Sequence, residues 1–271
     1  MTAIASPISK QHPEKAYILG TQLSLYDNQQ MLAYIRDAVQ HQQKVTILSG
    51  NVYSFNLAFE QEWLRAFFNQ ANIVRLDGAG VRLGGQLLGY RPPTRMTWAD
   101  FAWELAEFAE QHGFTLYFLG ARPGVAQRAA ERLTARFPNL QIVGTDHGYF
   151  NKEPGSTEST QVIQKLNQAK PQIVVIGFGM PVQERWLSHY RNQINAEVVM
   201  TGGAVFDYIS GELQRAPRWM TDHGMEWLGR LLIEPRRLWK RYILGNPLFF
   251  WRILMYKAEQ LQKFQRFGPQ S

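Results

Sequence analysis

Cysteine is absent from the 271 residues, which removes disulfides, thiolate-ligated zinc, iron–sulfur clusters and thiol nucleophiles from consideration. Long apolar runs are lacking as well. The most hydrophobic stretch of the tail, residues 248–256, is interrupted by Arg252 and falls far short of the roughly 20 residues a membrane-spanning helix needs. Residues 1–15 are polar, carry Pro7 and Pro13 and have no signal-peptide core, so a disordered lead on a cytoplasmic protein is expected. Neither a Gly-x-x-x-x-Gly-Lys-Ser/Thr loop nor a Gly-x-Ser-x-Gly elbow occurs, against common NTPases and serine hydrolases. No Asp-x-Asp pair is present for a metal-bound sugar nucleotide. His147 lies in Asp146-His147-Gly148-Tyr149, but His112 and His189 are not spaced as metal ligands. Neither a metal nor a cofactor is expected.

What is present is an ordinary globular composition, 45% hydrophobic and 19% charged, with an uneven distribution of charge. The chain has 29 Lys and Arg against 22 Asp and Glu, and residues 215–266 alone hold 11 against 4. The tail therefore carries the whole surplus of 7, and the rest is balanced. Within 215–242, arginines interleave with Trp219, Trp227, Leu238, Trp239 and Tyr242. This composition suits an anion held beside an apolar surface: nucleic acid, a phosphorylated ligand or an acidic membrane. A solvated basic face with a packed apolar back has the same composition.

Over the first two hundred residues, β-branched or aromatic runs alternate with helical patterns. The strands expected are 16–19, 44–48, 73–76, 115–119, 141–143, 173–176 and 197–200. The helices expected are 28–42, 54–69, 98–111, 125–137, 160–168 and 182–192. Such alternation predicts an α/β, Rossmann-like, mainly parallel sheet with helices on both faces. After Phe206 the pattern is helical, with Pro217 and Pro235 at helix starts and Gly245-Asn246-Pro247 as a break. The domains expected are thus a catalytic α/β unit over 16–210 and a helical appendage over 211–271.

Ligands of such sheets sit at the carboxyl ends of the strands, where this chain places glycine-rich turns. They contain Gly50 and Asn51, Asp77 to Gly80, Gly120 to Gly124, Gly177 to Pro181, and Thr201 to Ala204. Gly78, Gly120, Gly179, Gly202 and Gly203 let backbone N–H groups approach a nucleotide-like ligand; tight strand–helix packing is the other use of such glycines. Asp77, directly after a buried strand, is placed for general base work on a hydroxyl or for capping the next helix. Asn51 is suited to orienting a substrate hydroxyl or to a turn in left-handed geometry. Gln183 and Glu184 open a helix, near the ligand edge or as capping residues. Gly78-Ala79-Gly80-Val81-Arg82-Leu83-Gly84 has the wrong spacing and the wrong strand for a dinucleotide fingerprint. In the tail, Arg237 and Arg241 are four residues apart on one helical face beside Arg236 and Lys240, with Leu238, Trp239 and Tyr242 pointing elsewhere. Guanidinium groups so placed suit a diphosphate leaving group without metal.

These residues resemble the WecG/TagA/CpsF family of bacterial glycosyltransferases. The resemblance rests on Leu-Asp-Gly-Ala-Gly-Val at 76–81, Phe-Leu-Gly-Ala-Arg-Pro-Gly-Val-Ala at 118–126 and Gly-Thr-Asp-His-Gly-Tyr-Phe at 144–150. It continues through Gly-Phe-Gly-Met-Pro-Val-Gln-Glu-Arg-Trp at 177–186, Gly-Gly-Ala-Val-Phe-Asp at 202–207, and the tail motif at 215–242. The resemblance implies an inverting, metal-independent transferase. It would move an N-acetylmannosamine-like sugar from a UDP donor to a polyprenyl-diphosphate-linked acceptor in cell-surface polysaccharide synthesis. By the same resemblance Asp77 is the base and Asn51 an active-site asparagine, while Ser49 stands where other members have threonine. Gln183 lies near the substrate, and Arg230 and Arg237 cap the diphosphate. Lys240 falls where arginine is frequent, so that Arg241 compensates or the grip weakens. The implied place is the inner membrane face, reached peripherally through an acidic lipid surface, with homo-oligomer formation left open. Two rival readings are an NAD(P)-dependent oxidoreductase, and a nucleic-acid-binding protein that would leave the glycine turns without a role.

Overall fold

The computed structural model describes residues 14–93 and 96–267. Eight strands form one sheet: β1 (Lys15–Ile18), β2 (Thr21–Ser24), β3 (Val45–Gly50), β4 (Ile73–Leu76), β5 (Thr115–Gly120), β6 (Gln141–Asp146), β7 (Ile173–Gly177) and β8 (Val198–Thr201). Their order is β1-β2-β4-β3-β8-β7-β5-β6, and every neighbouring pair is parallel except the β1–β2 hairpin. The protein is thus an α/β, Rossmann-like fold. Of the lead expected over 1–15, residues 1–13 lie outside the described residues, and Lys15 already belongs to β1.

The helices of the body are α1 (Asn28–Gln40), α2 (Val52–Glu60), α3 (Glu62–Gln70), α4 (Ala79–Leu87), α5 (Trp98–His112), α6 (Val125–Arg136), α7 (Thr157–Ala169), α8 (Val182–Tyr190) and α9 (Val205–Ser210). They cover both faces of the sheet. Alternate strand residues divide accordingly. Ile47, Ile73, Phe118 and Val175 pack with α1, α5, α6 and α9. Leu48, Val74, Leu119 and Ile176 pack with α2, α3, α7 and α8. Burial on both faces is why these strands read as continuous apolar runs.

The strand β2 has no apolar run to announce it. Its Gln22 side chain donates to Phe68 O and Ala71 O at 2.7 Å each, so a long-range partner rather than local propensity fixes the segment. The stretch expected as one helix over 54–69 is two, because Gln61 takes extended geometry (φ −120°, ψ 107°) between α2 and α3. The helix α4 was hidden by its glycines. A Cβ on Gly84 would lie 2.7 Å from the Phe249 ring and one on Gly85 2.8 Å from Pro92, so these glycines serve close packing.

After α9 come α10 (Arg218–Asp222), α11 (Glu226–Ile233), α12 (Pro235–Trp239), a π-helical turn (Lys240–Leu244) and α13 (Gly245–Phe267). Pro235 starts α12 as expected. The break expected at 245–247 is instead continuous helix, widened by the π turn in which Gly245 N–H donates to Lys240 O. Pro247 cannot donate to a carbonyl one turn back, and the wider turn accommodates it. Phe249 and Ile253 of α13 are fully buried with Phe55 and Val81, so the last helix completes the core on that face.

Candidate active site

The carboxyl ends of β3, β4, β7 and β8 open into one cleft of 1710 Å³, and the helices after residue 217 form another wall of it. Asp77, Asn51, Ser49, Gly78, Gly179, Gln183, Gly202, Gly203, Arg230, Arg237, Lys240 and Arg241 all line it. Gly120 does not. A Cβ there would collide with the Gly177 carbonyl, so Gly120 allows close strand contact and Ala121 takes the cleft position.

Asp77 leaves β4 with its N–H on Gly50 O at 2.9 Å, and its side chain is one-quarter exposed. It does not cap α4. That position belongs to Gly78, whose φ of +98° suits glycine and which supplies no side-chain bond. The carboxylate therefore faces the cleft beside the uncapped first turn of α4. Asn51 is the capping residue: its Oδ1 accepts Ser54 N–H at 3.1 Å while its own N–H donates to Ser54 Oγ at 2.8 Å. Its backbone is extended (φ −117°) rather than left-handed. Capping uses the oxygen and leaves the amide nitrogen for the cleft.

Ser49 is committed elsewhere. Its hydroxyl donates to Thr201 O at 2.7 Å and accepts Trp98 Nε1–H at 2.5 Å, tying β3, β8 and α5 together. Gln183 is 3% exposed, and its Oε1 accepts the N–H groups of Gly179 and Gly203 at 3.3 and 3.2 Å. Its Nε2 donates to Glu184 at 2.7 Å. Burial pushes the Glu184 carboxyl up to about 7, and its Oε2 has no partner. Gly78 N–H is on Met96 O and Gly202 N–H on Ile176 O. The N–H groups of Gly78, Gly179, Gly202 and Gly203 are therefore engaged within the protein, whereas the first turn of α4 keeps its own, and the cationic groups come from the helices after residue 217.

That wall supplies them. Arg230 is 15% exposed, stacks on Tyr208 at 5.5 Å and pairs with Glu234 at 3.4 Å. Arg237 pairs with the same Glu234 oxygen at 2.8 Å. The Arg241 guanidinium lies 4.8 Å from the Tyr53 ring centroid, with Nε unpartnered, and burial lowers its pKa. Leu238 and Tyr242, expected to point elsewhere, also line the cleft; Tyr242 lies within the π turn, whose wider spacing changes which side chains share a face. Arg236 and Trp239 do not reach the cleft.

Reading motifs missed Arg75. It is fully buried on β4, two residues before Asp77. The signal was available, since a charge inside a strand covered on both faces has no solvent to meet.

The chain is similar in sequence to known proteins over most of its length. One relative, an N-acetylglucosaminyldiphosphoundecaprenol N-acetyl-beta-D-mannosaminyltransferase of Bacillus subtilis (strain 168), is 28% identical over 88% of this chain and 91% of its own length. A protein of the same name from Staphylococcus aureus (strain MRSA252) is 26% identical over 90% of this chain and 94% of its own. A third, from Bacillus spizizenii (strain ATCC 23059 / NRRL B-14472 / W23), is 28% identical over 74% and 75%. Residues 16–263 match the glycosyl transferase WecG/TagA/CpsF family, and with the match spanning sheet, cleft and basic wall alike, this chain belongs to that family of glycosyltransferases.

Proposed function

We propose that the protein transfers an N-acetylmannosamine-type sugar from a UDP donor to an N-acetylglucosamine-bearing polyprenyl diphosphate, inverting the anomeric centre and using no resident metal. The observation that carries this reading is the convergence of Asp77 with Arg230, Arg237, Lys240 and Arg241 on one cleft. Asp77 takes the proton of the acceptor hydroxyl as that oxygen bonds to the anomeric carbon. The bond from that carbon to the diphosphate breaks on the opposite face, and UDP leaves with the electron pair. The arginines meet the developing charge with planar donor pairs. Asn51 orients the reacting hydroxyl through its free amide nitrogen. Gln183 fixes the two glycine turns under the substrate.

The acceptor's lipid motivates a membrane-surface location on the cytoplasmic face. The helix α13 buries Phe249 and Ile253 on one side while Leu248, Trp251, Leu254 and Met255 stay exposed on another. Such a helix suits lying in a lipid interface. Nearby Lys and Arg each add about 1 kcal/mol of attraction to anionic lipid. No helix among the described residues is long and apolar enough to cross a bilayer.

The test is calorimetric titration with UDP in EDTA, followed by a transfer assay on a short-chain acceptor analogue. UDP binding that survives EDTA and weakens in Arg237→Ala supports the reading. Binding only when a divalent cation is restored removes its metal-free part, and NADH binding in place of UDP replaces it with an oxidoreductase.

A further inference from the structure

Arg75 is fully buried, and none of its three guanidinium nitrogens has a hydrogen-bond partner. The guanidinium lies 4.6 Å from the Phe101 ring centroid and 5.2 Å from that of Trp98. An isolated cation in such a place is costly, and an apolar side chain of similar length would fill the same space without the desolvation. Packing therefore does not explain its presence.

The charge that faces it is Asp77, with Nη1 3.9 Å from Oδ1. Arg75 is on β4 and Asp77 directly follows its last residue, so the strand's two-residue alternation, continued by one position, brings the two side chains to one face. Glu104 and Asp100 also act on Arg75, less than Asp77 does; Asp100 is paired with Arg215 at 2.5 Å, and Glu104 accepts from Asn28 at 2.9 Å. Burial lowers the Arg75 pKa to about 10, with the Asp77 charge the largest opposing influence, so the side chain is cationic at neutral pH.

We infer that Arg75 is the positioning residue for Asp77, a cation beneath the cleft floor that holds the carboxylate toward the acceptor hydroxyl. At 3.9 Å the pair is beyond hydrogen-bond range, so the carboxylate keeps its lone pairs for the substrate proton while charge restrains it. Trp98 sets the height of the guanidinium and is itself fixed by its bond to Ser49 at 2.5 Å. The Ser49 hydroxyl thereby bears on the reaction through Trp98, Arg75 and Asp77. Small misplacements of a reacting group cost on the order of 10²-fold in rate.

This inference rests on Asp77 acting as the base, and the experiment separates the two. Arg75→Met, Arg75→Lys, Asp77→Asn and the Arg75→Met/Asp77→Asn double variant are compared by kcat, donor KM and Tm. Arg75→Met is expected to lose about 10²-fold in kcat with donor KM within about twofold, and with Tm unchanged or higher. Arg75→Lys is expected to recover about tenfold of that loss, having the charge without the planar stack. In the Asp77→Asn background, Arg75→Met is expected to have no further effect. A Tm that falls together with kcat, or a second full loss in the double variant, overturns the positioning role. Should Arg75→Met not fold, Arg75→Lys decides: kcat about tenfold below wild type at constant KM supports the inference, and unchanged kcat overturns it. An Asp77→Asn enzyme with wild-type kcat overturns the base reading itself, whereas an inactive Asp77→Asn beside a fully active Arg75→Met overturns only the role of Arg75.

Discussion

Of the two uses open to Asp77, capping is excluded, while Asn51 takes neither left-handed geometry nor a simple turn position. The carboxylate after β4 is free of capping because Gly78 takes that place, and the asparagine after β3 is the cap. Replacing Asp77 with Asn is expected to lower kcat by about 10² to 10⁴-fold, the usual contribution of a positioned base, with UDP affinity retained; single-turnover transfer and calorimetry check the two halves. Glu184 makes a different prediction. Its folded pKa of about 7 lies above the ordinary 4.5, so between those values the folded protein binds more protons than the unfolded chain. Its contribution to stability therefore declines as pH rises through that window and is lowest above it. Glu184→Gln is expected to stabilise the protein relative to wild type, little at pH 4.5 and by up to about 3 kcal/mol above pH 7. Denaturation midpoints across that range check the slope, and a pH-independent difference would refute it.

Among the elements, α11 and α12 carry the cleft's cationic wall, and Glu234 between them holds Arg230 and Arg237. This carboxylate, held through one Nη2 of each arginine, competes with a diphosphate for both. Glu234→Gln is therefore expected to tighten UDP binding by about fivefold, equivalent to roughly 1 kcal/mol, and Arg230→Ala to weaken it by at least as much. Calorimetry at fixed salt measures both. The helix α13 acts on the core. Phe249 is fully buried against Phe55, at 6.5 Å between ring centroids, so Phe249→Ala is expected to cost about 3–5 kcal/mol of stability, read from chemical denaturation. For the same reason a truncation at residue 215 would open the core, and membrane docking is better tested by surface substitutions.

At the scale of the whole molecule, the proposed membrane side is the exposed apolar face of α13 with the basic residues of the tail. Trp251→Ser with Leu254→Ser, both more than half exposed, is expected to lower sedimentation with anionic vesicles severalfold while UDP affinity stays constant; equal recovery would remove the membrane from the proposal. Most of the sheet was legible because strands buried on both faces must be apolar throughout, as 73–76 and 173–176 are but for Arg75. Pattern also led to the cleft-lining turns, since ligands gather at the carboxyl ends of parallel strands. What pattern could not give was anything decided by partners distant in sequence. The strand β2 is held by Gln22 reaching helix α3, α4 is glycine-rich because Phe249 and Pro92 press on it, and Gly120 is filled by Gly177 rather than by ligand. The α/β alternation, the strand-end turns and the charged tail could be read from the chain alone, because local periodicity and composition set them. That the N–H groups of Gly78, Gly179, Gly202 and Gly203 are already bonded, that Arg230, Arg237 and Arg241 line the same cleft, and that Arg75 lies buried beside Asp77 came from the folded arrangement, because burial and hydrogen-bond satisfaction belong to contacts that no single segment contains.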